Sequence, residues 1–180
     1  MSGARADATP ERARRQLSAL ARVSALFERD GIEYWLFGGW AVDFYAGRVT
    51  REHDDLDLAV WLADLPRISK LLEGDGWVHA PEPDEDGGTG YENGGVRLEL
   101  TYLVRDDRGS VFTPLRGGRA AWSGDALAAD AAELLGVRAR IVGLASLTSG
   151  KERARDDPED AAKDRADARV LAQLTRGRDV

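Results

Sequence analysis

The sequence predicts an α+β or α/β head followed by a mainly helical C-terminal part, and two observations predict it. Short apolar runs with strand character, at 32–37, 56–61, 96–104 and 137–142, alternate with helical stretches through residue 142. Beyond that point only helical periodicity remains, so the chain divides into residues 1–142 and a helical part, 143–180, expected to pack on it.

Each element has a local reason. Thr9-Pro10-Glu11 starts a helix, with a hydroxyl cap and proline in the first turn. Leu17, Leu20, Ser24 and Phe27 follow at helical spacing, and Gly31 stops it. Residues 32–37, IEYWLF, are short, aromatic and branched, which suits a buried strand. Gly38-Gly39 breaks that pattern, and Trp40 to Ala46 forms a short helix stopped at Gly47. Leu56 to Trp61 alternates and then turns fully apolar, as a strand. Asp64-Leu65-Pro66 opens another helix, with Ile68, Leu71 and Leu72 on its inner face and Gly74 near its end. Trp77 to Ala80 reads as a short strand, and 81–95, PEPDEDGGTGYENGG, as a polar loop or hairpin tip. Val96 to Val104 alternates cleanly as a strand, and Asp106 to Gly109 turns the chain into another, SVFTPL. Residues 116–136 show no readable period. Val137 to Val142 is a strand and Leu144 to Arg155 a helix. Asp164 to Leu174 is an amphipathic helix with Ala168, Leu171 and Leu174 inward. The tail RGRDV is expected to fray.

At 180 residues the chain suffices for one domain, or one and a half, with a real core. It contains no cysteine, which excludes disulfides, thiolate chemistry and cysteine-type zinc sites. No apolar run approaches the roughly 18 residues of a membrane span. The start, MSGARADATPERARR, lacks the apolar stretch of a signal peptide, so a cytoplasmic protein without a membrane partner is expected. Net charge is −7, and Glu82, Asp84, Glu85, Asp86 and Glu92 stand together with no base between them. A long nucleic acid needs clustered Lys and Arg, so it is disfavoured as a partner. A cationic small molecule or a metal-bound anion suits the balance better; an acidic surface serving solubility alone is the other reading. A monomer and a homodimer both fit.

The candidate chemistry lies in FGGWAVDFYAGRVTREHDDLDL, residues 37–58. Asp55 and Asp57, two apart on a strand, point to one face, while Leu56, Leu58 and Val60 take the buried one. Two carboxylates so close raise each other's pKa unless a cation sits between them. Asp-x-Asp on a strand is thus either a solvated strand end or a bracket for Mg²⁺. Two further features favour the bracket. Gly38-Gly39 ends one strand and opens a helix, where a bare backbone admits a phosphate. Glu99 shares a face of VRLELTYLV with Arg97 and Thr101, opposite Leu98, Leu100 and Tyr102. A sheet pairing that strand with LDLAVW would bring Glu99 beside Asp55 and Asp57, as in two-metal phosphoryl transfer.

Gly-Gly, a short helix and then Asp-x-Asp on the next strand resembles the nucleotidyltransferase superfamily related to DNA polymerase beta. GGWAVD, GRVTREH and DDLD in this order look more specifically like the small antibiotic nucleotidyltransferases, the aminoglycoside 2''-adenylyltransferase and lincosamide nucleotidyltransferase group. Gly38, Gly39, Trp40, Asp43, Gly47, Thr50, Arg51, His53, Asp55 and Asp57 carry the match, which weakens through Glu99 and the C-terminal helices. The resemblance implies the α+β nucleotidyltransferase fold, a mixed sheet with flanking helices. It implies ATP or another nucleoside triphosphate over Gly38-Gly39, Mg²⁺ on Asp55 and Asp57, and pyrophosphate as leaving group. Glu99 takes the place of the third carboxylate, for metal ligation and for the proton of an acceptor hydroxyl. Arg51 and His53 would touch phosphate or lock their loop, the lock being favoured for His53. Asp43 would bond to the Thr50-Arg51 loop, and Asp54 would be a solvated neighbour. Thr101 stands where relatives commonly carry a second polar group, acidic or histidine, which weakens transfer of aminoglycoside specificity. Lys151 and the run Lys163 to Asp167 are similar to a pattern in related enzymes where a lysine contacts the triphosphate; a solvated Lys151 is the alternative, and Lys163 is expected exposed. The 82–92 acids would rim a pocket for a cationic acceptor. Tyr91, Tyr102 and Trp122 are candidates to stack on a sugar, with core packing favoured for Tyr102. A protein or tRNA acceptor, as in toxin–antitoxin systems, and a non-catalytic nucleotide-binding module of the same fold are the competing functions.

Overall fold

In the computed structural model, which describes residues 9–128, 131–151 and 157–176, helix α1 (Glu11–Arg29) buries the predicted stripe of Leu17, Leu20, Ser24 and Phe27. Pro10, not Thr9, is the residue before its first turn, and no side chain caps it. Strand β1 (Tyr34–Phe37) runs directly into α2 (Gly38–Ala46), which Gly47 ends in the left-handed region at φ 67°. Strand β2 (Asp55–Trp61) and helix α3 (Leu65–Gly74) follow, and α3 buries Ile68 and Leu72. Strands β3 (Val78–His79), β4 (Gly88–Asn93), β5 (Val96–Arg105), β6 (Val111–Leu115) and β7 (Gly118–Ala121) complete the main sheet. A hairpin of β8 (Ala131–Leu134) and β9 (Val137–Arg140) precedes helices α4 (Leu144–Lys151) and α5 (Pro158–Arg176).

The sheet order is β1-β2-β5-β4-β3, with β6 paired to β5 and β7 to β6. Only β2 and β5 run parallel within it, so the sheet is mixed. That pair decides the site. Leu56 and Leu58 on β2 and Leu98 and Leu100 on β5 are at most 1% exposed, and α1 contacts both strands. Burying such side chains contributes about 1.5–3 kcal/mol each relative to exposure. The other face then presents Asp55, Asp57, Arg97, Glu99 and Thr101. α4 and α5 pack on each other and on α2.

Two stretches differ from expectation. Residues 81–95 contain a strand, β4, where a loop or tip was expected. Thr89 and Tyr91 point inward in strand alternation and are 5% and 1% exposed, a pattern hidden by the interleaved glycines. Residues 116–136 contain β7 and β8, four-residue strands too short to show a period. Leu135 and Gly136 both take positive φ, 51° and 80°, as a two-residue hairpin loop requires. Strand β9 ends before Val142, but Ile141 bridges to Leu36 and the Val142 N–H donates to the Leu36 carbonyl at 3.0 Å. Helix α5 starts six residues earlier than predicted. The predicted helix over 152–155 and tail over 177–180 lie outside the described residues. Among the described residues no helix is long and apolar enough to cross a membrane.

Candidate active site

The two glycines are bare because site residues occupy the space a side chain would take. At Gly38, which has φ 68°, a Cβ would overlap the Asp57 carboxylate. At Gly39 it would collide with Arg51 Nη2 and His53 Nδ1. The start of α2 therefore lies against Arg51, His53 and Asp57 of the motif that follows it.

The parallel register pairs Asp55 with Arg97, Asp57 with Glu99 and Ala59 with Thr101. Cross-strand partners share a face, and adjacent strands lie about 4.8 Å apart, so Glu99 is the direct neighbour of Asp57. Burial, then the charge of Asp54, pushes the Asp55 carboxyl above its usual range. Burial pushes Glu99 up to about 7, against the opposing pull of Arg97. Arg97 Nε donates to Glu99, while Nη1 reaches the Ala80 carbonyl at 2.7 Å and Glu92 at 3.3 Å. Its Nη2 is 3.3 Å from Glu82, and the guanidinium lies where a Cβ on Gly90 would be. Glu99 is thus drawn toward Arg97, whereas Asp55, Asp57 and Thr101 line the neighbouring cleft. Among the described residues no three His, Cys, Asp or Glu side chains stand grouped to hold a metal ion.

Asp43, fully buried on α2, locks the loop that leads to β2. Its Oδ1 accepts from the Thr50 backbone N–H at 3.1 Å and from the Thr50 hydroxyl; its Oδ2 accepts from His53 Nε2 at 2.6 Å. The His53 ring lies 4.6 Å from that of Trp40, and Gln16 donates to the His53 carbonyl at 3.0 Å. His53 is 4% exposed.

Arg51 lies against α5. Its Nε and Nη2 donate to Asp167 at 2.8 and 2.9 Å, and Nη1 donates to the Glu52 carbonyl at 2.9 Å. Lys151 is ion-paired and largely covered rather than solvated, with Nζ 2.8 Å from both Asp164 and Asp167. Burial alone would push the Asp167 carboxyl up, but Arg51 and Lys151 more than reverse this and hold it low. Lys163, expected exposed, is half-buried at the cleft, 2.7 Å from Asp54 and 3.1 Å from Glu159. The hydrogen bond from Lys163 holds the exposed Asp54 carboxyl below its ordinary value.

These groups surround a cleft of about 460 Å³. Its walls are the Gly38-Gly39 corner, the Asp55 and Asp57 face, the β6–β7 hairpin with Trp122, and the α4–α5 pair with Lys151. Trp122 packs edge-on to Phe37 at 5.5 Å and donates its indole N–H to Thr113 at 2.9 Å. Tyr91 is not available for stacking on a ligand: it lies in the core, bonded to Ser69 at 2.8 Å. Tyr102 is half-buried on the same face of β5 as Leu98 and Leu100. The acidic stretch is tied down, Glu82 and Glu92 to Arg97 and Asp86 to the Arg116 backbone N–H at 2.9 Å. Asp164 and Asp167 lie in the Lys163 to Asp167 run that the resemblance singled out, but the sequence reading gave neither a role in the site. Extending the inward stripe of Leu171 back by four and seven residues reaches both.

A crystal structure of a lincosamide antibiotic adenylyltransferase, lincomycin-bound, matches with TM-score 0.69 at 19% identity, over 87% of this chain and 96% of that one. A crystal structure of ANT(2'')-Ia in complex with adenylyl-2''-tobramycin matches with TM-score 0.67 at 20% identity, over 92% and 99%. The fold is therefore the nucleotidyltransferase fold. The family model for aminoglycoside-2''-adenylyltransferase matches residues 19–132, and the chain belongs to that family. It is 42% identical over 43 residues to a 2''-aminoglycoside nucleotidyltransferase of Escherichia coli, 24% of either chain. It is 38% identical over 52 residues to a lincosamide resistance protein of Staphylococcus haemolyticus, 29% of this chain and 32% of that one. The sequence matches thus span a quarter to a third of the length of these curated relatives.

Proposed function

We propose that the chain is a Mg²⁺-dependent nucleotidyltransferase that moves a nucleoside monophosphate, AMP from ATP, onto a hydroxyl of an aminoglycoside or lincosamide antibiotic. The observation that carries this reading is the parallel β2–β5 register, which puts Glu99 beside Asp57 on the face that Gly38-Gly39 overhangs. The family and the names of the relatives support the acceptor class. A cleft of about 460 Å³ is of the size that takes small molecules.

Asp55 and Asp57, joined by Glu99, would hold Mg²⁺. The donor set fits that ion: hard oxygen ligands, two of them held above their usual range chiefly by burial. When bound, the ion would neutralise charge on the attacking and leaving oxygens. The chain's own residues do the rest. The α2 N-terminus offers backbone N–H groups and, through its glycines, room for phosphate. Arg51 and Lys151 line the same cleft and supply positive charge. Glu99 exchanges its bond to Arg97 for one to the acceptor hydroxyl and takes its proton, a task suited to a carboxylate pushed up to about 7. His53 keeps the Arg51 loop in place from inside. Trp122 provides a flat wall for a sugar ring.

Pyrophosphate release from ATP and Mg²⁺ tests this reading, with aminoglycosides and lincosamides supplied in turn. Release above the acceptor-free rate is expected with at least one class. Failure with both overturns the proposal.

A second expectation needs no acceptor. Glu99 titrates above the ordinary glutamate value, up to about 7, so ionising it in the fold costs stability. That stability is present below the unfolded pKa and is lost as pH rises through about 7. A cation that binds the ionised form must displace the proton, so it binds better as pH rises. The rise in Tm on adding Mg²⁺ is therefore expected to be small at pH 5.5 and large at pH 8. A pH-independent rise would contradict the assigned ligands.

A further inference from the structure

Helix α5 carries two buried aspartates to which the proposed chemistry gives no task. Asp164 is 5% and Asp167 1% exposed. Burying a carboxylate is unfavourable unless it is paired, and both pair with cations that line the cleft. Asp167 grips Arg51 side-on, taking Nε–H and one Nη2–H at 2.8 and 2.9 Å. The Glu52 carbonyl takes one Nη1–H. A guanidinium has five N–H donors, so one on each terminal nitrogen remains among the described residues. Lys151 gives one donor to Asp164 and one to Asp167, each at 2.8 Å. An ammonium has three, so one remains there too. Both cations line the cleft together with Asp55 and Asp57, and Arg51 Nη2 sits against bare Gly39.

We propose that Asp167, supported by Asp164, is a positioning residue for a nucleoside triphosphate. It fixes the plane of Arg51 and the head of Lys151 so that their spare donors meet the phosphates at the Gly38-Gly39 corner. This rests on reading the cleft as a nucleotide site, and it makes α5 part of that site. The side-on grip is what separates positioning from competition. An aspartate that merely competed with phosphate for the cations would occupy their outward donors, and its removal would tighten binding. Removal of a positioning aspartate loosens it.

The experiment is calorimetric titration of a non-hydrolysable ATP analogue, with Mg²⁺ and no acceptor, into wild type, Asp167→Asn, Asp164→Asn and Arg51→Lys. Outer partners of ligand-binding groups typically matter by 10–100-fold. Asp167→Asn is expected to raise Kd on the order of tenfold. Arg51→Lys, which keeps the charge and loses the fork, is expected to lose a similar factor. Asp164→Asn is expected to lose less, since Asp167 still holds Lys151. In turnover, KM for ATP rises while KM for the acceptor stays put. A folded Asp167→Asn that binds as tightly as wild type, or more tightly, overturns the inference, as does full substitution by Arg51→Lys. If Asp167→Asn does not fold, unchanged binding in Asp164→Asn overturns it instead. Equal loss in both KM values would mark the network as purely structural and overturn it as well. Wild type that binds no analogue overturns the nucleotide reading itself, and this inference with it.

Discussion

Asp57→Asn is expected to reduce pyrophosphate release on the order of 10³-fold, the scale set by removing one preorganised electrostatic group from an active site. Asp57 is where three independent constraints meet. It lies on the face of β2 shared with Asp55, in register with Glu99, and against the backbone of Gly38. Asparagine has nearly the same shape, so the contact with Gly38 survives and the cleft keeps its form. What it loses is charge, and charge is what a divalent cation needs from its ligands. The stability readout separates this from general damage. Asp55 and Glu99 are already held above their usual range by burial and by neighbouring acids. Removing one negative charge beside them lessens repulsion between carboxylates, and Tm measured beside activity tells loss of charge from loss of fold. A loss of activity within tenfold, or one matched by a fall in Tm, would remove Asp57 from the ligand set.

How much of this was legible in the sequence follows from what kind of interaction each part depends on. The period-2 pattern of LDLAVW and VRLELTYLV gives both strands and both faces, because sheet alternation is a local property. It does not give the parallel pairing of β2 with β5, since register is fixed by contacts between residues 42 apart, such as Asp55 and Arg97. That Asp43 holds the Thr50 loop was expected from the family match, and its hydrogen bonds bear it out. Where reading failed, polarity or brevity misled it. The glycines of 87–90 hid Thr89 and Tyr91, which alternate into the core as strand residues do. Lys163 looked like a surface base because lysine is so seldom buried, and solvation was the alternative kept open for Lys151. Lys163 meets Asp54 across 109 residues, and Lys151 meets Asp164 only where α4 packs on α5.

The largest loss of stability is expected from Asp43→Ala. Asp43 is fully buried and accepts three hydrogen bonds, from the Thr50 backbone, the Thr50 hydroxyl and His53 Nε2. Alanine leaves those donors facing a small void. A buried donor without a partner costs about 1–3 kcal/mol, and loss of one member of a buried network about 3–5 kcal/mol in total. At about 2–4 °C per kcal/mol for a chain of this size, Tm should fall by roughly 10 °C. Asp43→Asn separates the hydrogen bonds from the charge. The amide oxygen can still accept from Thr50, while its NH₂ faces His53, whose imidazole can present an acceptor nitrogen by changing tautomer. The asparagine variant is therefore expected to lose about 1 kcal/mol, the ordinary worth of one hydrogen bond. Urea denaturation of the two variants beside wild type measures both differences. If alanine costs no more than asparagine, the loop is held by Gln16 and the Arg51–Asp167 pair, and Asp43 is dispensable to it. If the predicted order holds, the 47–54 loop is fixed from the core outward. Arg51 then enters the cleft with its backbone already set by Asp43, and Asp167 has only its guanidinium left to orient.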